Sequence, residues 1–247
     1  MEELFLDDLS SLQCLDMFRL NALSTLNLQH LTSLRHVKLC SSKINTLHVS
    51  YMPHLETLDL KSFFCLKALC IEECPALKDV KLKHCFELKD LILKKLQKLE
   101  SCAVYCCGKL QLLTFEDCDA LEKVELALHK LASLNFLGCD RLATLKGSKI
   151  PECLTSLTIA GSSFHNLDGF ENFRDLKCLI INSPALQDIT PLMQLPNLLE
   201  ASISGDLIPQ RQIDALQSFL EGRKREQQPS GFSRRLLKPS ERRWEGF

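Results

Sequence analysis

The sequence predicts a repeat solenoid, a stack of short coils that each contribute parallel β-strands. An L-x-x-L-x-L pattern recurs along the chain, with successive starts at Leu12, Leu23 and Leu34 and so on as far as Leu154. Apolar residues at positions 4 and 6 of each unit flank an outward position, which is the alternation of a β-strand. One unit of this length cannot bury its apolar side, whereas stacked copies bury it against one another.

Two series of units follow from a change of spacing near the C-terminus. After Leu154 the pattern starts only at Leu176 and Leu198, twice the earlier spacing. One full coil is therefore about 22 residues long, and each unit of the earlier part is half a coil. The series that continues to the end of the stack starts at Leu23, Ile44, Leu66, Leu88, Leu110, Leu131, Leu154, Leu176 and Leu198. The other series starts at Leu12, Leu34, Leu55, Leu77, Leu99, Leu121 and Leu142. We therefore expect parallel strands on both sides of the solenoid in its first two-thirds.

Composition restricts the class of protein. The chain is 45% hydrophobic and 25% charged with a net charge of −1, which is ordinary for a globular protein and gives no global attraction to nucleic acid or membrane. It has no apolar run long enough to span a membrane, and its acidic start, MEELFLDDL, is unlike a secretion or mitochondrial signal. Thirteen cysteines, an odd number, then favour reduced thiols and an intracellular location, cytoplasmic or nuclear.

Many of the cysteines occupy position 9 of the units, where the strand has ended. Cysteine alternates there with larger apolar residues, in the set Leu9, Leu20, Leu31, Met52, Phe63, Cys74, Cys85, Leu96, Cys107, Cys118 and Cys139. A metal ligand would not be replaced by leucine in the next coil, so we interpret these cysteines as small inward-facing corner residues. The alternative is a zinc site built from Cys70, Cys74 and His84, or from Cys102 and Cys106, and we predict no metal.

The two predicted sheets differ in their outward residues. The second series carries alternating charges at positions 2 and 5, namely Arg35, Glu56, Lys78 and Glu100, and Lys38, Asp59 and Lys81. We interpret that sheet as structural, with its charges fixing the register between coils.

The outward face of the first series is less charged and is the predicted partner-binding face. Interface centres are depleted in charge, and this face mixes small polar with apolar residues. Its candidate binding residues are Thr46, His48, Lys67, Lys89, Ile92, Leu112, Thr114, Asn135, Thr158 and Ile180. The alternative interpretation is an uncharged sheet with no ligand.

The stretch LKALCIEECPALKDV, at 66–80, carries a family resemblance. Together with the L-x-x-L-x-L-x-x-C-x pattern over roughly residues 1–205, it resembles the leucine-rich repeat family, and specifically its irregular cysteine-containing repeats. The resemblance implies a right-handed α/β-type superhelix that binds its ligands on the continuous-strand face. It therefore agrees with the face favoured by charge.

Two further segments follow the solenoid of residues 1–205. Residues 206–222 predict an amphipathic helix that caps the stack, with Pro209 in its first turn and Gly222 as its stop. Residues 223–247 form a basic tail with aromatic residues, whose candidate motif is Arg234, Arg235, Arg242, Arg243 and Trp244. Three alternatives stay open for the tail: folding back on the solenoid, binding a protein partner, or contacting nucleic acid.

Catalytic motifs are missing from the sequence. It holds no phosphate-binding P-loop, no G-x-S-x-G nucleophile motif and no H-E-x-x-H metal motif, so we predict a non-catalytic module without a cofactor that binds a protein partner and spans no membrane. The alternative is a structural subunit of a larger assembly, a ribonucleoprotein among the choices, anchored by the basic tail. An enzyme would need chemistry at an outward thiol such as Cys70 or Cys178.

Overall fold

The described part of the chain folds as a parallel β-solenoid of about eight turns followed by one α-helix. The computed structural model describes residues 2–227 apart from 5, 7–8, 10, 21, 42, 144 and 146–149. Every strand pair in the described part is parallel, and neighbouring strands in a sheet mostly belong to successive coils, as Asp79 and its partner Ser101 do. The predicted coil length and the predicted strands on both sides are confirmed.

The strands form two sheets, which we call the long sheet and the short sheet. The long sheet contains, in order, β1 (Glu2–Leu4), β3 (Leu23–Asn27), β5 (Thr46–Ser50), β7 (Ala68–Glu72), β9 (Asp90–Lys94), β11 (Leu112–Glu116), β13 (Ser133–Leu137), β14 (Ser156–Ala160), β15 (Cys178–Asn182) and β16 (Glu200–Ser204). The short sheet contains β2 (Cys14–Phe18), β4 (His36–Cys40), β6 (Thr57–Lys61), β8 (Asp79–Lys83), β10 (Ser101–Tyr105) and β12 (Lys123–Ala127). The strand predicted after Leu142 falls largely on residues outside the described part.

Later coils replace the short-sheet strand with 3-10 helices. The first spans Phe170–Asn172 and follows Gly169, whose φ of 94° lies in the left-handed region. The second spans Thr190–Gln194, and the Asp188 carboxylate accepts a hydrogen bond of 2.9 Å from the backbone N–H of Thr190 at its start. This bond satisfies an amide at the start of the short helix that has no partner within the helix.

The core lies between the two sheets as columns of side chains, one from each coil. Positions 1, 4 and 6 are buried in the inner coils, as Leu88, Leu91 and Leu93 show at 0% exposure. Phenylalanine replaces leucine at position 6 in two successive coils, and the rings of Phe115 and Phe136 stack with their centroids 5.2 Å apart. Apolar columns therefore run from coil to coil through the described part of the stack, as the repeat pattern predicts.

Left-handed backbone recurs at position 8, where the chain leaves each strand. Among the residues that the structure describes, nine other than glycine adopt a positive φ there: Arg19, His30, Tyr51, Ser62, Glu73, His84, Lys95, Cys106 and Asp117. The corner amide is satisfied by the next coil, as when Lys95 N–H donates to the Glu116 carbonyl over 2.8 Å. This bond compensates for a conformation that costs a non-glycine residue about 1–2 kcal/mol.

The corner cysteines are buried side chains of the core. Cys74, Cys85, Cys107, Cys118 and Cys139 are 0–1% exposed, as predicted for position 9. Each thiol faces the backbone carbonyl two residues earlier, and the Cys74 thiol donates to the Glu72 carbonyl over 3.4 Å. A small side chain with a weak S–H donor therefore fits a corner where the strand ends.

Buried thiols should make the fold sensitive to alkaline pH. Burial raises the pKa of the Cys74 thiol from its usual 9.0 to about 11. Between these values the unfolded chain releases a proton that the folded chain keeps, so stability present below pH 9 falls as the pH rises. The loss is about 1.4 kcal/mol per pH unit for one such thiol. Denaturant titrations at pH 9 and 11 should show a smaller loss in Cys74→Ala than in the parent, with Cys65→Ala, at an exposed cysteine, as the control variant.

The C-terminal helix α1 spans Gln210–Gln227 and packs against β16 and the second 3-10 helix. It begins four residues after the predicted start, because Gly205 and Ile208 close a turn first. The predicted stop at Gly222 is wrong. Arg223 holds the helix beyond that glycine by donating to the Leu195 carbonyl and, over 3.3 Å, to the Leu198 carbonyl.

Candidate functional site

The outward face of the long sheet collects the predicted binding residues. Ile92, Thr114, Asn135, Thr158 and Ile180 are successive partners across five adjacent strands, so they form one continuous column. Asn135 donates a side-chain hydrogen bond of 3.1 Å to the Thr114 hydroxyl within this column. Strand register therefore brings together residues that lie far apart in the sequence.

The remaining predicted residues extend this face toward the N-terminal coils. Thr46 and His48 lie on β5, and Leu112 begins β11. Lys67 and Lys89 are exposed immediately before β7 and β9, and their backbones join through a bond of 2.8 Å. A groove of about 440 Å³ contains Thr46, His48 and Lys67 together with Gln29 and Cys70.

A second groove closes the C-terminal end of the same face. It has a volume of about 380 Å³ and lies between β15, β16 and α1. Apolar side chains line it, with Ile180 41% exposed and Leu199 and Leu220 beside it. Lys224 and Glu200 pair across the groove at 3.7 Å. The face therefore ends in an apolar slot with a charged rim.

Sequence reasoning found one side of this groove and missed the other. Ile180 was identified by its outward position in a strand, but Gln217, Glu221 and Lys224 come from the helix. The helical pattern indicated an apolar face without indicating where that face would meet the sheet. The spacing of the repeats does not determine that contact.

The short sheet carries charges that neutralise one another, although not always as predicted. Arg35 and Glu56 pair at 2.7 Å across neighbouring coils, and the hydrogen bond from Arg35 is the main cause that lowers the pKa of the Glu56 carboxyl. Lys123 instead pairs with Glu125 two residues along its own strand, at 2.7 Å. Lys81 also pairs within its strand, with Asp79. A long lysine side chain reaches a same-face carboxylate on its own strand as easily as one on the next strand.

Cys70 is one of the outward thiols that a catalytic alternative would need. Its side chain is exposed, but partial burial and then the nearby Glu72 carboxylate raise the pKa of the Cys70 thiol, which keeps it protonated. Cys14 is also exposed, and Cys178 is only half exposed and lines the C-terminal groove. Among the described residues, no group of three or more histidine, cysteine or acidic side chains could hold a metal ion.

The candidate tail motif lies outside the described residues. Arg234, Arg235, Arg242, Arg243 and Trp244 all follow residue 227, the last that the structure describes. No helix in the described part is both long and apolar enough to cross a membrane. A comparison with models of known protein families and with curated protein sequences finds no match to this chain.

Proposed function

We propose that this chain is a leucine-rich repeat protein of the cell interior that acts as a non-catalytic protein-interaction module. Its coils place the leucines of each L-x-x-L-x-L unit in one shared core, which is the arrangement expected of such repeats. The outward face of the long sheet is the proposed binding surface. Repeat scaffolds use extended surfaces of this kind to hold a protein partner.

The C-terminal groove is the observation that carries this proposal. An exposed Ile180 beside Leu199 and Leu220 offers an apolar pocket for one anchoring side chain of a partner. Protein interfaces concentrate binding energy in a few such desolvated anchors and surround them with polar residues. The Lys224–Glu200 ion pair and the polar residues in the column through Thr114 form the polar surroundings of this pocket.

The contrast with the short sheet supports this choice of face. Ion pairs such as Arg35–Glu56 engage its charges within the protein, so a partner would have to displace them. The outward column of the long sheet has hydroxyl, amide and aliphatic side chains instead. Such a surface loses less hydration free energy when it is covered.

Affinity capture from a native lysate tests the proposed face. The full chain, Ile180→Arg and Thr114→Arg serve as baits, and the matched control is Ala127→Arg, an exposed residue of the short sheet. We expect each long-sheet variant to recover at least about tenfold less of a partner protein, because burying an unpaired arginine costs more than about 1.4 kcal/mol. Equal recovery by all variants would contradict the proposed face. Loss only when residues 228–247 are removed would favour the assembly subunit anchored by its tail.

A further inference from the structure

An exposed aromatic pair lies at the corner where the chain passes from the short sheet to the long sheet. Phe64 and Phe86 follow β6 and β8, and their rings stack with centroids 5.3 Å apart and planes 18° apart. Their side chains are 40% and 45% exposed, and the His84 ring lies 5.8 Å from that of Phe86. Two large apolar rings in water are unusual on a structure whose other stacked phenylalanines, Phe115 and Phe136, are buried.

Gly108 leaves an open position beside this pair. It is the equivalent residue in the next coil, as far beyond Phe86 in the sequence as Phe86 is beyond Phe64. A Cβ atom built there would meet nothing within 4 Å, so Gly108 leaves open space at the position where the two preceding coils carry a phenylalanine. Because coils repeat about every 4.8 Å, this gap has the height of one more flat ring. We call Phe64, His84, Phe86 and Gly108 the aromatic corner.

Lysines flank the aromatic corner on both sides. Lys61 and Lys83 end adjacent strands as direct partners, both are exposed, and neither forms an ion pair with a described residue. On the other side, Lys67, Lys89 and Lys109 surround Glu87, the residue after Phe86. The Lys109 hydrogen bond of 2.6 Å is the main cause that lowers the pKa of the Glu87 carboxyl, and the two other lysines lower it further. Positive charge therefore exceeds what Glu87 can neutralise.

We propose that the aromatic corner binds single-stranded nucleic acid. An unpaired base stacks on the open face of Phe86 above Gly108, and Lys61 and Lys83 contact the adjoining phosphates. Aromatic stacking beside a positive track is the usual means of binding single strands, whereas a duplex keeps the faces of its bases covered. The chain's own tail is a poorer occupant, since residues 228–247 carry five Lys/Arg and two Glu, a net charge of +3.

Fluorescence anisotropy of the full chain with a fluorescein-labelled adenosine 12-mer RNA tests the site. Phe86→Ala should weaken binding about tenfold, the size of a lost base stack. Gly108→Tyr should weaken it similarly because its own ring fills the gap, whereas Gly108→Ala should bind normally. Phe18→Ala is the matched control, since Phe18 is also exposed but lies on the edge strand β2, three strands away from the β8 strand that Phe86 follows. The tail is identical in all variants, so the differences report on the corner alone.

Salt dependence and competition complete the test. Removing both Lys61 and Lys83 should reduce the slope of log affinity against log salt by about 1.4, the value for two phosphate contacts to a single strand. Unchanged affinity in Phe86→Ala and Gly108→Tyr would overturn the proposal. Equal affinity for a duplex of the same length would also overturn it. Tighter binding of an acidic, tyrosine-containing peptide with the same dependence on Phe86 would instead assign the corner to a protein partner.

Discussion

Replacing Phe136 by alanine is expected to lower the free energy of unfolding by about 3–5 kcal/mol, the cost of removing a buried aromatic ring. Phe136 is fully buried, and its ring lies flat on that of Phe115 in the neighbouring coil. The cavity opens in the middle of the core column, so the coils on both sides lose packing. A urea titration followed by circular dichroism measures the change.

The exposed pair provides the control for this prediction. Phe64→Ala removes a ring from an equally close stack that is already partly exposed to water, so we expect it to cost less than about 1 kcal/mol. A double-mutant cycle of Phe115 and Phe136 should give a coupling of about 0.5–1.5 kcal/mol. Equal destabilisation by Phe64→Ala and Phe136→Ala would mean that burial between the sheets does not hold the coils together.

Changing Arg223 to methionine is expected to release the C-terminal helix. Arg223 donates to the carbonyls of Leu195 and Leu198, and its guanidinium lies 4.2 Å from the centre of the Phe219 ring. Hydrogen bonds from a charged donor to partly buried carbonyls contribute about 2–3 kcal/mol. Amide hydrogen exchange across α1 should therefore become roughly 30- to 150-fold faster, with little change in the central coils.

Arg225 gives a matched comparison two residues later. It is exposed and pairs only with Glu221 at 3.6 Å among the described residues, so Arg225→Met should leave exchange within about twofold. Because Leu220 and Lys224 line the C-terminal groove, Arg223→Met should also weaken capture of the proposed partner. Fast exchange in both variants would show that helix charge, rather than the two carbonyl contacts, secures the cap.

Much of the fold could be predicted because each unit repeats the same pattern of apolar positions. Each leucine at position 1, 4 or 6 has an equivalent one coil away, so the spacing alone indicates which residues share a column. The corner cysteines followed from the same comparison, since Cys85 stands where Leu96 stands half a coil later. Their burial needed no knowledge of any contact.

Features that depend on side-chain reach or on non-repeating parts could not be predicted. Lys81 forms its ion pair with Asp79 on its own strand. That pairing depends on side-chain rotamers, which the alternation of charges does not determine. The left-handed backbone at position 8 could not be predicted either, because the residues there range from Arg19 to Asp117 with no shared side-chain chemistry. The helix end beyond Gly222 depends on Arg223 meeting carbonyls of the last coils, a contact that occurs once.

The alternation of two sheets within one coil determines how this chain can change in length. Deleting or duplicating a whole coil, such as residues 88–109, rejoins every strand to a partner of its own sheet, and the leucine columns close without a gap. Inserting or deleting half a coil preserves the local repeat. Every later unit would then have to move from the long sheet to the short sheet, or the reverse. Lengthening of the solenoid by unequal recombination is therefore expected to proceed in steps of two units. Insertions of a single half-coil are the ones that selection should remove.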